Sequence, residues 1–189
     1  MKSCRRSRLA LPAVDRDPSR LVRFLARRRV ALGLVTVLVA LVLARPTWES
    51  WRAGLLVAIV GEAIRIWAAG HLEKGREVTR SGPYRWTAHP LYVGSSVLAL
   101  GVVLAADSLV VGVLAALYMG STITAAVQTE EAFLRRTFGA SYEQYRRSEG
   151  EDVGRRFSTA RAVRNREYRA VIGLMAGFAC LALKLLLPI

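Results

Sequence analysis

Apolar residues gather in five stretches, 30–44, 53–70, 91–106, 108–127 and 170–189, and most polar residues fall between them. Each stretch predicts a helix. The first and third are shorter than the ~20 residues a helix needs to cross the hydrocarbon core, so they are expected to extend into flanking residues or to sit in thinned bilayer. Residues 45–52 join the first two stretches and little more than Asp107 joins the next two, so each pair is expected to form an antiparallel helical hairpin. Trp48 and Trp51 in the first connection suit an interfacial aromatic belt. The predicted fold is all-α: a multi-pass transmembrane protein of about five helices.

Composition and charge narrow this picture. At 189 residues and 53% hydrophobic, with arginine-rich breaks, the chain reads as one membrane unit. Its net charge of +14 would suit nucleic acid only if displayed on one soluble face, so no nucleic-acid partner is expected. Instead the charge follows the loops. Ten Lys/Arg lie in 1–29, four in 71–90 and ten in 135–169, which is 24 of the 28, while Arg45 and Arg52 fall on the other side and Arg65 and Lys184 within apolar stretches. By the positive-inside bias the N-terminus and both arginine-rich loops are expected to be cytoplasmic, at a bacterial inner membrane. Residues 1–29 then form a basic cytoplasmic segment suited to anionic lipid, and 30–189 a single membrane domain. A cleaved signal peptide fits poorly, because its charged region would be unusually long and Val42-Leu43-Ala44 is a weak cleavage site.

The residues that could do chemistry are few. Cys4 and Cys180 are placed for neither a disulfide nor a metal, and His71 and His89 have no Cys/His cluster beside them, so no metal is expected. No phosphate-cradling glycine loop or Ser-His-Asp arrangement is present. Glu62 and Arg65 sit three apart on one face of the second helix. An ion pair in that place either lines a substrate cavity or is a structural salt bridge. Lys184 is expected to snorkel to the outer surface.

Two polar clusters stand out. The first, residues 81–94, reads Ser81-Gly82-Pro83-Tyr84-Arg85-Trp86-Thr87-Ala88-His89-Pro90-Leu91-Tyr92-Val93-Gly94. Pro90 is placed at the first turn of the third helix, where a missing N–H costs nothing and free backbone donors could face an anionic group. The second begins with Glu130-Glu131. Here the fourth helix is expected to leave the membrane, with Glu130, Phe133, Leu134 and Thr137 on one stripe, and to stop at Phe138-Gly139. Ser141 and Gln144 predict a capping box for a short helix carrying Tyr142 and Tyr145. A carboxylate pair with aromatic rings could hold an organic cation. Ordinary interfacial turns and solvated glutamates are the alternative reading of both clusters.

In combination and order, Gly82-Pro83-Tyr84, His89-Pro90-Leu91-Tyr92-Val93-Gly94, Glu130-Glu131, Phe138-Gly139, Tyr142 and Tyr145 resemble the integral-membrane methyltransferases of the isoprenylcysteine carboxyl methyltransferase and phospholipid methyltransferase type. The resemblance covers about residues 61–147, and Arg65-Ile66-Trp67-Ala68 is similar to the family's Arg-containing stretch. It implies a pocket for S-adenosylmethionine at the cytoplasmic helix ends, reached by a lipophilic small molecule or lipid-modified substrate from the bilayer. Tyr84, His89, Pro90, Leu91, Tyr92 and Glu130 would contact the cofactor, residues 76–79 would add a wall, and Arg65, Arg85 and Glu131 would lie on the substrate side.

Methyl transfer from a sulfonium is an in-line displacement, so alignment and exclusion of water can supply most of the acceleration. A carboxylate acceptor needs no base. An amine or hydroxyl does, and Glu131 or His89 would be the candidate. Two departures matter: Ala88 stands where the family commonly has Arg before its His-Pro, and Ala126 where the prenylcysteine enzymes have Arg. Arg85 could substitute for the first if the loop turns there. The same pattern is also similar to membrane sterol reductases that use NADPH, though the chain lacks their extra helices. A non-enzymatic lipid- or partner-binding protein on the same scaffold is the third reading.

Overall fold

The computed structural model describes residues 20–147 and 154–187, so the stretch before Arg20, with Cys4, lies outside the described residues. Seven helices follow in order: α1 (Arg20–Leu43), α2 (Trp48–His71), α3 (Pro90–Ala106), α4 (Leu109–Phe138), α5 (Ala140–Arg146), α6 (Thr159–Arg164) and α7 (Tyr168–Leu186), with a 3₁₀ turn at Gly82–Arg85. The five apolar stretches correspond to α1, α2, α3, α4 and α7. Three of these, α2, α4 and α7, are long and apolar enough to cross a membrane, while the apolar part of α1 (Ala31–Leu43) and the 17-residue α3 are shorter. The protein is an all-helical, integral membrane protein. Large apolar side chains such as Leu109, Leu117 and Met175 point outward, as a lipid-facing surface requires.

The first apolar stretch extends into its flank and the fourth helix runs on to Phe138 with Gly139 as its cap, both as expected. α1 begins at Arg20, inside the basic stretch, because Arg, Leu and Ala are good helix formers. At 30 residues α4 is about 45 Å long, well beyond the ~30 Å hydrocarbon core, so its last turns stand clear of the membrane.

α2 and α3 form the closest pair. Gly54 and Gly61 of α2 face Gly94, Leu98 and Gly101 of α3 so tightly that a Cβ on either side would enter the opposing backbone. Small residues permit this approach, which gains dispersion energy where lipid offers no hydrophobic drive. Thr47 and Ser50 start α2 with a reciprocal capping box, 2.9 and 3.1 Å, and the Ser50 hydroxyl also donates to the Ala105 carbonyl at 3.3 Å. Asp107, at φ +45°, turns the chain from α3 into α4.

This end of the bundle holds the apolar core of Ala44, Ala58, Ala105, Ala106, Val111, Phe178 and Leu181. Trp51 packs edge-on against Phe178 and donates from Nε1 to its carbonyl at 3.0 Å, so of the two expected belt residues it is a packing residue and Trp48 the exposed one. Lys184 does not snorkel freely. Its ammonium caps the C-terminus of α1, donating to the carbonyls of Leu41 (3.1 Å), Val42 (2.8 Å) and Ala44 (2.8 Å). Those carbonyls have no intrahelical donor and lie at the negative end of the dipole, so a three-pronged cation suits them better than water. Lys184→Met is expected to cost about 2 kcal/mol, read as a lower midpoint of thermal unfolding in detergent.

Candidate functional site

The opposite end of the bundle opens into a cavity of about 620 Å³ between the C-terminal end of α2, the loop after it, the start of α3, the outer half of α4, α5 and Glu167. Local conformation sets each side chain. Gly82 takes φ +59° with its Cα against the His71 ring, where a Cβ would come within 2.7 Å of the imidazole. The 3₁₀ turn it starts buries Tyr84 in the wall and leaves Arg85 exposed. The Tyr84 carbonyl accepts from the Tyr145 hydroxyl at 2.8 Å, so α5 is tied to the turn. Burial, with Glu130 nearby, pushes the Tyr84 hydroxyl far above the usual phenol range, and it stays a protonated donor.

His89 is the N-cap of α3 and Pro90 its first residue. The His89 ring lies 5.7 Å from that of Tyr92, with Nδ1 4.0 Å from Glu130 and Nε2 3.5 Å from Glu131. Nε2 is buried and makes no hydrogen bond, its approach to Glu131 being misaligned for one. The Tyr92 hydroxyl donates to Glu130 Oε2 at 3.0 Å, which joins α3 to α4 across the cavity.

A buried ion cluster forms the deep side. Arg65 Nη2 meets Glu167 at 2.5 Å and Nε meets Glu62 at 3.4 Å, while Nη1 donates to the Ser95 hydroxyl, itself bonded to the Leu91 carbonyl at 2.8 Å. Around the rim, Glu73 accepts from Arg161 at 2.8 Å and Glu77 pairs with Arg155 at 2.5 Å. The Arg161 hydrogen bond holds the Glu73 carboxyl below its ordinary range.

The structure thus brings together Tyr84, His89, Pro90, Leu91, Tyr92, Glu130 and Arg65 in one wall, with Glu77, Val78 and Thr79 of the expected 76–79 stretch. Glu131 stands behind His89, outside the lining. Arg85, exposed after the buried Tyr84, is not among the residues that line the cavity. Ala88 and Ala126 both line the cavity. The expected Ser141 capping box is absent: Gly139, at φ +44°, ends α4 and caps α5 at once, which leaves Ser141 inside α5.

Sequence reasoning missed Glu167, Ser95 and Glu73. Glu167 carried a signal of sorts, a lone acid in the arginine-rich run before an apolar stretch. Among the described residues no three His, Cys, Asp or Glu side chains are grouped to hold a metal ion.

The wall carries four carboxylates, Glu73, Glu77, Glu130 and Glu167, against two cations, Arg65 and Lys74. Glu73, Glu77 and Glu167 are matched by arginines. Among the described residues Glu130 has no arginine partner, only the Tyr92 hydroxyl and the His89 ring.

The phospholipid methyltransferase profile matches residues 29–141, more than half of the chain and all of both polar clusters up to α5. A nickel-cobalt-cadmium resistance protein of Alcaligenes xylosoxydans xylosoxydans is 29% identical over 142 residues, 69% of this chain and 66% of its own length. A cobalt-zinc-cadmium resistance protein of Cupriavidus metallidurans is 31% identical over 137 residues, 66% of this chain and 63% of its own. The chain therefore spans just under two thirds of these two bacterial relatives. The protein-S-isoprenylcysteine O-methyltransferase of Schizosaccharomyces pombe is 33% identical over 87 residues, 46% of this chain and 37% of the yeast protein. No solved structure matches. The pairing of Tyr92 on α3 with Glu130 on α4 falls inside the matched region, and on that match the chain belongs to the phospholipid methyltransferase family.

Proposed function

We propose that the protein transfers a methyl group from S-adenosylmethionine to a lipophilic acceptor at the cytoplasmic face of a bacterial inner membrane. The observation that carries this reading is Glu130: in a chain of net charge +14, a cavity carboxylate stands without an arginine, oriented by the Tyr92 hydroxyl. Such a group suits a ligand with positive charge. The donor set fits the cofactor. Glu130 offers an acceptor to its hydroxyl or ammonium groups, and the volume lies within the range of small-molecule sites. When bound, the cofactor supplies an electrophilic methyl group on sulfur. Tyr84, Tyr142 and Tyr145 would close the wall against water, and Leu91, Ala126, Phe133 and Leu134 would receive an apolar acceptor. His89 or Glu131, 3.5 Å apart, would take the proton from an amine or hydroxyl acceptor.

The distribution of charge supports this sidedness. The helix ends around the cavity carry the arginine-rich loops, and Arg45 and Arg52 lie at the other end. S-Adenosylhomocysteine at a hundredfold excess over its dissociation constant should stabilise the detergent-purified protein by about 2.7 kcal/mol. Glu130→Ala and His89→Ala should each weaken that binding, by roughly tenfold to a hundredfold for Glu130, whose lost hydrogen bonds are to a charged group. Parental affinity in both variants would refute the site, and stabilisation by NADPH instead would favour a reductase. Membranes incubated with methyl-labelled cofactor would then identify the acceptor.

A further inference from the structure

Between residues 154 and 167 the chain forms a strap across the membrane-surface end of α2, and its two faces differ. The inner face is fully engaged. Ser158 N donates to Gly70 O at 3.1 Å, Asn165 Nδ2 to the carbonyls of Ala69 (2.9 Å) and Leu72 (3.0 Å), and Arg155 and Arg161 hold Glu77 and Glu73 in the cavity rim. Phe157 stands beside the His71 ring with centroids 6.1 Å apart.

On the outer face Arg156, Arg166 and Arg169 are exposed and form no ion pair with any carboxylate among the described residues. Val163, 60% exposed, and Tyr168, 45% exposed, lie among them. An arginine cluster interleaved with apolar and aromatic side chains is what an interfacial segment presents to a bilayer, rings and methyls at the headgroup level and guanidinium groups on phosphates. Position agrees: the strap leads directly into α7, a candidate span beginning at Tyr168, and covers the end of α2, another.

We propose that this outer face is a docking surface for anionic lipid headgroups of the adjacent leaflet. The inner arms connect the surface to the cavity, since the backbone that carries Arg156 and Arg166 also carries Arg155, Arg161 and Glu167. Lipid bound outside would hold the rim carboxylates in place inside. Lipid docking on this face does not depend on methyl transfer in the cavity.

The test is hydrogen exchange of strap amides in the full chain, reconstituted in nanodiscs of phosphatidylcholine alone or of phosphatidylcholine mixed with phosphatidylglycerol. Protection should rise with phosphatidylglycerol content and be lost at high salt. A variant with Arg156→Gln, Arg166→Gln and Arg169→Gln should gain none, its apparent affinity for the anionic surface falling roughly fivefold per arginine removed. Changing Arg5, Arg6 and Arg8 to Gln should leave the strap's protection intact. Equal exchange in both bilayers, or protection that vanishes with the N-terminal changes alone, would overturn the proposal. So would a polyglutamate peptide that protects the strap in neutral bilayers as well as phosphatidylglycerol does, since the surface would then recognise acidic protein.

Discussion

Arg65→Ala is expected to cost about 3–5 kcal/mol of stability, because it leaves the carboxylates of Glu62 and Glu167 buried without their shared cation. The loss should appear as a lower unfolding midpoint and poorer recovery of monodisperse protein in detergent. A second variant separates this cause from lost packing: Arg65→Met with Glu62→Gln and Glu167→Gln removes all the charge together and should recover most of the stability. If Arg65→Ala instead unfolds like the parent while turnover collapses and S-adenosylhomocysteine still binds, the guanidinium acts on the acceptor and the ion cluster contributes little to the fold. Both earlier readings of the Glu62–Arg65 pair, structural bridge and cavity lining, meet in this residue, since Arg65 does line the cavity.

Gly61→Leu should be comparably severe for a different reason. A Cβ there overlaps the backbone of Leu98 and the carbonyl of Gly94, which no rotamer change relieves, so α2 and α3 must move apart. About 3 kcal/mol or more is expected. The separation would also shift the start of α3, and with it His89 and Tyr92, so binding of S-adenosylhomocysteine should fall along with stability. Gly120→Ala is the matched control: nothing lies within 4 Å of a Cβ at that helical position, and the change should stabilise by about 1 kcal/mol. Equal behaviour of the two variants would show that the α2–α3 approach is not held by its small residues.

The long helices were legible because lipid enforces a simple rule: a backbone in hydrocarbon must satisfy its own hydrogen bonds, so apolar length alone announces a helix. His89-Pro90 and Glu130 could be singled out because punctuation and charge are unusual beside such stretches. Their contact through Tyr92 could not be read, since it depends on how α3 and α4 cross. Glu167 stayed hidden for a related reason. Its partner lies on α2, far back along the chain, and its neighbours in sequence are arginines that suggest a solvated loop. The same run concealed the strap, whose inner residues bond to carbonyls at the end of α2 and leave no pattern in hydropathy. Ser141 misled because one glycine serves two helices, and no sequence rule separates that from a capping box displaced by two residues.

The contact between Arg65 and Glu167 also bears on biosynthesis. Arg65 lies on α2 and Glu167 at the threshold of α7, so during translation most of the cavity leaves the ribosome before the carboxylate that closes its ion cluster. Lys184 repeats this arrangement at the opposite end, where α1 waits for a cap supplied by α7. A nascent bundle without α7 has its deep arginine half-neutralised and its first helix uncapped. Insertion of α7 therefore completes the ion cluster at one end of the bundle and the cap of α1 at the other in one event.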